Sequence, residues 1–413
     1  MDYGFSVIGM NFNGMLMAKM GLPVEYFFFL SVLSVITVLI AQNLVSRKSD
    51  KKGERFTFII LAKLFYAAST FLIAFFQRFE VIVFTTVLNG LISGESTANV
   101  IVYEIIDQRQ RALDPSSKAF LSFNKSREFA KYRLFGSIGF AWTAPFGGLG
   151  IETLNGINGN PFFGYTVMYC ISGAGVLATT IFLSIILKGY QRQNATALAQ
   201  QNQGLAATGS RFYLSIAFLM LTSTSFLSSV ASAIQSNPFS KYLNALGEGE
   251  FFYGILAFIW ATSEVPLFYL SSHLVKKYDW KVLILASYLF QEIKFIVYFL
   301  VASPEYAAYI ILVQVLNPFG ISFPAKTYAL TNEIAKDHKA LGMTLHDSFN
   351  SLGSFTGGIV GMLVAGMLGA VANTIPGYQF FYAISLVVTA IAILLFIVLA
   401  LVEKKKSAKK PKI

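Results

Sequence analysis

Eight ionisable residues stand within long apolar stretches of this chain: Lys63, Glu95, Arg133, Glu264, Glu292, Lys294, Lys326 and Asp347. A charge in bilayer hydrocarbon costs several kcal/mol, so such residues face partners or cavities and mark the paths of ions and solutes. Glu264 leads for proton chemistry, because it falls roughly 20 Å along its apolar span at 1.5 Å per residue, near the bilayer centre. A carboxylate there can take up and release a proton as its surroundings change. Two residues on, Pro266 removes a backbone donor and lets the helix bend. Arg133, Ser137 and Phe140 share one helical face and offer a guanidinium, a hydroxyl and an aromatic ring to a polar, ring-shaped solute. Lys326 and Asp347 stand on successive spans, which makes them one candidate pair, and the sequence leaves the pairing of the buried charges open. Lys294 and Lys326 leave room for an anionic solute or for antiport.

Other chemistries lack their residues. The GxxxxGK[ST] loop that cradles nucleotide phosphates is missing, as are HExxH and the GxSxG nucleophile elbow. His273, His338 and His346 have no metal-ligand spacing. The single cysteine, Cys170, permits neither a disulfide framework nor a multi-cysteine zinc site. These absences argue against an enzyme, ATP-powered transport and a resident metal or cofactor, and leave gradient-driven transport.

The elements that must position these residues follow from composition. Of 413 residues 55% are hydrophobic and 13% charged, and the mean hydropathy is +0.60; soluble domains carry about 25% charged residues. Apolar runs of about 20 residues, the length that crosses a bilayer, recur along the chain. They predict an all-α membrane protein with twelve spans, near 3–20, 24–46, 56–77, 80–105, 128–151, 163–187, 212–235, 251–275, 281–302, 305–331, 342–369 and 377–402. The first is short and contains Asn11 and Asn13. With the N-terminus inside, outside segments hold only Lys19, Arg78 and Lys241. Lys63, Arg133, Lys294 and Lys326 fall within spans, and every other Lys and Arg of the 32 falls inside. This bias predicts that both termini are cytoplasmic. It also assigns the net charge of +11 to loops and to a basic tail at an anionic membrane surface, with no role in nucleic-acid binding.

The segment from Tyr190 to Ser210, rich in Gln, Ala and Asn, reads as a flexible connection near the midpoint. The expected organisation is therefore 1–188 as one six-helix half, 189–210 as a cytoplasmic linker, 211–402 as a second half and 403–413 as the tail. Basic turns after the second and eighth spans echo one another, as an internal duplication requires.

The first of these turns, Ser46 to Arg55, resembles the G-x-x-x-D-[RK]-x-G-[RK]-[RK] signature of the major facilitator superfamily. It matches at Asp50, Lys51, Gly53 and Arg55, while Ser46 and Glu54 depart from it. The stretch Arg133-Leu134-Phe135-Gly136-Ser137-Ile138-Gly139-Phe140 is similar to the fifth-helix segment of the branch holding lactose-permease-like and nucleoside–proton symporter-like carriers. Ser263-Glu264-Val265-Pro266 resembles that branch's eighth-helix S-E-x-P. The resemblance implies the twelve-helix major facilitator fold, a gating role for Asp50, Lys51, Gly53 and Arg55, and a solute cavity that includes Arg133, Ser137 and Phe140. The acidic and amide positions that help define nucleoside specificity in helices seven and ten are not clearly present; Ser228–Ser232 and Asn317–Phe319 stand there instead.

The reading that results is a monomeric plasma-membrane carrier that imports a small polar solute, a sugar or oligosaccharide before a nucleoside, together with protons. Alternatives are a proton-driven exporter of drugs or amphipathic compounds and a non-transporting solute sensor. Gly353, Gly357, Gly361, Ala365 and Gly369 form a small-residue stripe, which allows close helix packing or a sliding face. The 40 Phe and 20 Tyr residues are expected mostly at lipid and at the interfaces.

Overall fold

The structure is a computed structural model. It describes residues 5–6, 8–9, 11–52, 55–91, scattered positions from 102 to 123, 125–186, 212–275, 277–335 and 339–408. Its principal helices are α1 (Asn13–Lys19), α2 (Val24–Lys52), α3 (Arg55–Phe75), α4 (Phe79–Leu91), α5 (Lys125–Asn158) and α6 (Phe163–Ile186), followed by α7 (Ile216–Ser236), α8 (Glu250–Leu274), α9 (Trp280–Leu300), α10 (Pro318–Tyr328), α11 (Lys339–Leu368) and α12 (Ile375–Ala408), with short helices at Phe239–Ala245 and Ala307–Val313. Among the described residues no strand forms, and nine helical stretches are long and apolar enough to cross a membrane. This is the all-α architecture the apolar runs require, since a helix satisfies its own backbone in lipid.

Two compact units divide the chain. The first comprises Met1–Asn13 and Ile36–Ala206, and the second Gly14–Val35 and Ala207–Ile413. In the first, α6 lies against α3 and α5. Gln77 after α3 donates to Thr166 Oγ1 at 2.9 Å and to the Phe162 carbonyl at 3.2 Å, and Tyr169 OH donates to Asn13 Oδ1 at 2.7 Å. In the second unit α7 packs on α11 and α12, α9 on α10 and α12, and α8 on α10. The chain from Gly14 to Val35 is fastened there by polar contacts. Lys19 pairs with Glu250 at 3.6 Å, Val24 N donates to Asn373 Oδ1 at 2.9 Å, and Lys241 Nζ donates to the same oxygen at 3.0 Å. Two of the three basic residues assigned to the outside thus hold structure together.

Several spans depart from their sequence boundaries. The tenth, expected as one helix, is broken. A short helix, Ala307–Val313, ends before Gln314, and α10 begins at Pro318, because proline has no N–H to continue the ladder and Asn317 caps α10. Past Tyr328 the backbone widens into a π-helical stretch, Ala329–Ile334. The last helix runs on to Ala408, through the start of the expected tail, and Glu403 on it pairs with Lys281 at 2.8 Å. Part of the first span and most of the residues after Leu91 in the fourth lie outside the described residues.

Seven of the tyrosines, Tyr165, Tyr169, Tyr242, Tyr288, Tyr298, Tyr378 and Tyr382, are fully buried. Tyr382 OH has no hydrogen-bond partner among the described residues, but burial of a hydroxyl costs least where it finds an acceptor. Tyr242 OH, for example, lies 2.8 Å from the Val301 carbonyl. Its ring meets that of Tyr382 at 5.1 Å between centroids, at the centre of an apolar cluster that includes Phe28, Leu256 and Phe381.

The glycine stripe of α11 divides by role. At Gly353 and Gly357 the backbone of α7 is so near that an added Cβ would lie 2.5 Å from the carbonyl oxygens of Phe226 and Val230. Gly361 faces the Phe28 ring. Gly369 does not belong to this packing: it has open space around it and a φ of +56°, and ends α11 in the left-handed conformation that glycine adopts without strain. Close packing on α7 predicts that Gly357→Val destabilises the protein by about 1–3 kcal/mol through overpacking, whereas Gly366→Ala, in open space, is neutral. Thermal unfolding of both variants in detergent checks this.

Candidate functional site

The break between Val313 and Pro318 sets the geometry of a polar cavity of about 420 Å³ within the second unit. Its walls come from α7, α8, α9, α10 and α11. Asn317, fully buried, holds the break: its Oδ1 accepts from Gly320 N at 3.1 Å and caps α10, while its Nδ2 donates to the Trp260 carbonyl on α8 at 2.9 Å. Ser263 Oγ, also on α8, reaches the Gln314 carbonyl at 3.3 Å. The unwound turn is thereby tied to α8 at both ends.

Gln314 works in the opposite direction, toward α9. Its Nε2 donates to Tyr298 OH at 2.6 Å, which fixes the amide so that its Oε1 accepts from Lys294 Nζ at 2.9 Å. Lys294 is buried, with 8% of its surface exposed, and lines the cavity. One turn earlier on α9, Gln291 accepts from Ser228 Oγ at 2.7 Å and donates to Ser232 Oγ at 3.0 Å. These serines come from α7, where a period of four places them on one face. On α11, His346 Nε2 lies 3.1 Å from Ser225 Oγ, and its Nδ1 lies 3.3 Å from both Asp347 Oδ1 and Asn350 Nδ2. Aromatic surface comes from Trp260, Phe319 and Phe323; the last two rings sit 5.3 Å apart. The whole is a concave wall with hydrogen-bonding groups on α7, α9 and α11 and rings on α8 and α10, a pattern typical of small-molecule sites.

Of the residues singled out from sequence, the structure brings Lys294, Lys326 and Asp347 together around this cavity. The candidate pair Lys326 and Asp347 share the cavity and interact electrostatically without direct contact: among the described residues Lys326 Nζ has no ion-pair or hydrogen-bond partner, and the carboxylate of Asp347 meets His346 and is 74% exposed. Glu264 is buried at the contact of α8 with α10, where its backbone borders Gly320. It follows Trp260 by one helical turn but is not among the lining side chains. Glu292 lies on α9 outside the lining, half-buried, with Oε2 lacking a hydrogen-bond partner among the described residues.

In the first unit Ser137 and Phe140 are half-buried on α5, and Lys63 is half-buried on α3. Arg133 lies on α5, Asp50 and Lys51 on α2 and Arg55 on α3, and their side chains fall outside the described residues; so do Glu95 and Gly53 entirely. Sequence reasoning missed Gln291, Gln314, His346 and Asn350. Gln314 carried one signal, its place just before Asn317-Pro318, a pair that ends one helix and caps the next.

Comparison with known proteins agrees with this architecture. The model of the MFS_1 like family matches residues 4–380. No curated protein matches in sequence. A crystal structure of the nucleoside transporter NupG superposes with a TM-score of 0.68 at 14% identity, covering 96% of each chain. A bacterial homologue of the human lysosomal transporter Spinster, in an inward-facing and occupied conformation, gives 0.63 at 13% identity, covering 100% of this chain and 95% of that one. At such identities the likeness is one of fold.

The tie through Asn317 predicts that Asn317→Ala loses the α10 cap and the Nδ2 donor to the Trp260 carbonyl, which keeps only its contact with Ser263 Oγ at 2.9 Å from outside the helix ladder, destabilising the protein by about 1–3 kcal/mol. Asn317→Ser keeps a cap acceptor without adding a charge and is expected to lose less. Melting temperatures of the two purified variants test the ranking.

Proposed function

The chain belongs to the MFS_1 like family and is an integral membrane transporter, and from that premise we propose that it carries a small polar solute together with protons by alternating access. The carrying observation is the cavity of the second unit. Its hydrogen-bonding groups (Ser228, Ser232, Gln291, Asn350) and its rings (Trp260, Phe319, Phe323) suit a hydroxylated, ring-containing solute such as a sugar or a nucleoside. The fold shared with the nucleoside transporter NupG supports the same class.

In this reading the solute is held by those groups of the second unit; for Arg133, Ser137 and Phe140 on α5 a role in solute binding is proposed separately, from the resemblance of their segment. Glu264, a buried carboxylate beside Pro266 and one turn from Trp260, carries the proton. Loading it from outside accompanies solute entry, and its release inside resets the carrier. Asp50, Lys51, Gly53 and Arg55 act at the cytoplasmic turn between α2 and α3. In the same reading the protein works as a monomer in the plasma membrane with both termini cytoplasmic, an orientation that the distribution of Lys and Arg supports.

Proteoliposomes containing a pH-sensitive dye test this when sugars, nucleosides and organic acids are added in turn. The wild-type protein is expected to acidify the lumen with its solute. Glu264→Gln should slow that acidification at least tenfold while solute counterflow persists. Acidification unchanged in folded Glu264→Gln protein overturns the role of Glu264. The absence of any solute-driven proton signal in the wild type would favour export or uniport.

A further inference from the structure

The charges around the cavity do not balance. Two ammonium groups, Lys294 and Lys326, line it against one carboxylate, Asp347, whose side chain is 74% exposed and turned to His346 at 3.3 Å. No acidic side chain of α7, α8, α9 or α10 lines the same space; Glu264 and Glu292 lie outside the lining. Lys294 spends one of its three N–H donors on Gln314 Oε1, a neutral acceptor, and Lys326 has no hydrogen-bond or ion-pair partner among the described residues. A buried cation is sustained by an opposite charge or by several acceptors; Asp347 acts on Lys326 from beyond ion-pair distance, and among the described residues the lining holds no second negative charge to balance the two ammonium groups.

We infer that the solute of this cavity is a small hydroxylated organic anion, whose carboxylate or phosphate is held by Lys294 and Lys326. The inference rests on the proposed reading of the cavity as the solute site and narrows its class. Three features of the lining fit such a molecule. The Tyr298–Gln314–Lys294 chain of hydrogen bonds at 2.6 and 2.9 Å fixes one ammonium before any solute arrives, so little ordering is lost on binding. The Ser228–Gln291–Ser232 cluster, one turn along α9, offers donors and acceptors to hydroxyl groups. A volume of about 420 Å³ accommodates a single sugar-sized ring with its acidic substituent. A neutral sugar or nucleoside would engage the serines and add no negative charge opposite the two ammonium groups.

The test uses the full-length protein in detergent at neutral pH and measures binding calorimetrically for two matched pairs, galacturonate against galactose and glucose 6-phosphate against glucose. At least one anion is expected to bind at least tenfold more tightly than its neutral partner. Lys326→Gln and Lys294→Gln should each erase that preference, and Lys326→Arg should restore it. Lys326 has no hydrogen bond to lose, so Lys326→Gln remains decisive if Lys294→Gln does not fold. Neutral sugars that bind as tightly as their acids, a preference that survives Lys326→Gln, or no binding by either anion would overturn the inference. Binding and proton coupling are read separately: neutral sugars that bind and drive protons would leave the proposed transport standing and remove only the anion, whereas anion binding without proton movement would do the reverse.

Discussion

The second unit is organised around one constraint, that an ammonium group placed in a membrane interior is costly unless it is given an acceptor. Lys294 has it in Gln314 Oε1, and Gln314 can serve only because the helix is broken at that point. Each further feature depends on the break. Pro318 removes a donor that an unbroken helix would need, Asn317 caps the new helix and ties it to the Trp260 carbonyl, and Tyr298 orients the amide. Irregular backbone at membrane depth is tolerated where it is covered by protein or borders a cavity, and here it does both.

A polar wall inside an apolar bundle is inexpensive when its hydroxyls are already satisfied. Ser287 on α9 donates to the Ile284 carbonyl at 2.7 Å, and Ser228 and Ser232 are matched to Gln291. The opposite side of the same architecture is dry and closely packed. Gly353 and Gly357 let α11 approach the α7 backbone, which sets His346 beside Ser225 and places Asn350 Oδ1 3.4 Å from Ser229 Oγ. The small-residue stripe and the polar cavity are therefore coupled, since a larger residue at Gly357 would push α11 away from the wall it helps to build.

The sequence revealed most clearly what the bilayer enforces. The length of the apolar runs located the helices, because hydrocarbon admits few alternatives, and intramembrane charge marked Lys294, Lys326 and Asp347 before their shared cavity was visible. Neutral polar residues were not legible in this way. Gln291, Gln314 and Asn350 carry no desolvation penalty large enough to stand out, and their significance depends on neighbours far apart in sequence, such as Ser228 with Gln291. The same limit explains the Lys326–Asp347 pair: adjacency of spans brought both residues to one cavity, while the local contact of Asp347 with His346 depended on a rotamer that no spacing rule encodes. Gly369 was misread because a period of four continues past the helix end, where chain reversal and not packing sets the need for glycine.

The central claim is that the cavity walled by α7 to α11 holds the transported solute, and its most direct measurement is protection of a cavity position from alkylation. Ser232→Cys in a Cys170→Ala background places one thiol on the wall, with Ala302→Cys, at an exposed position, as the control. The account predicts that a saturating concentration of a solute the protein carries slows maleimide labelling at position 232 and leaves position 302 unaffected. An unchanged rate at position 232, in protein actively transporting that solute, would contradict it.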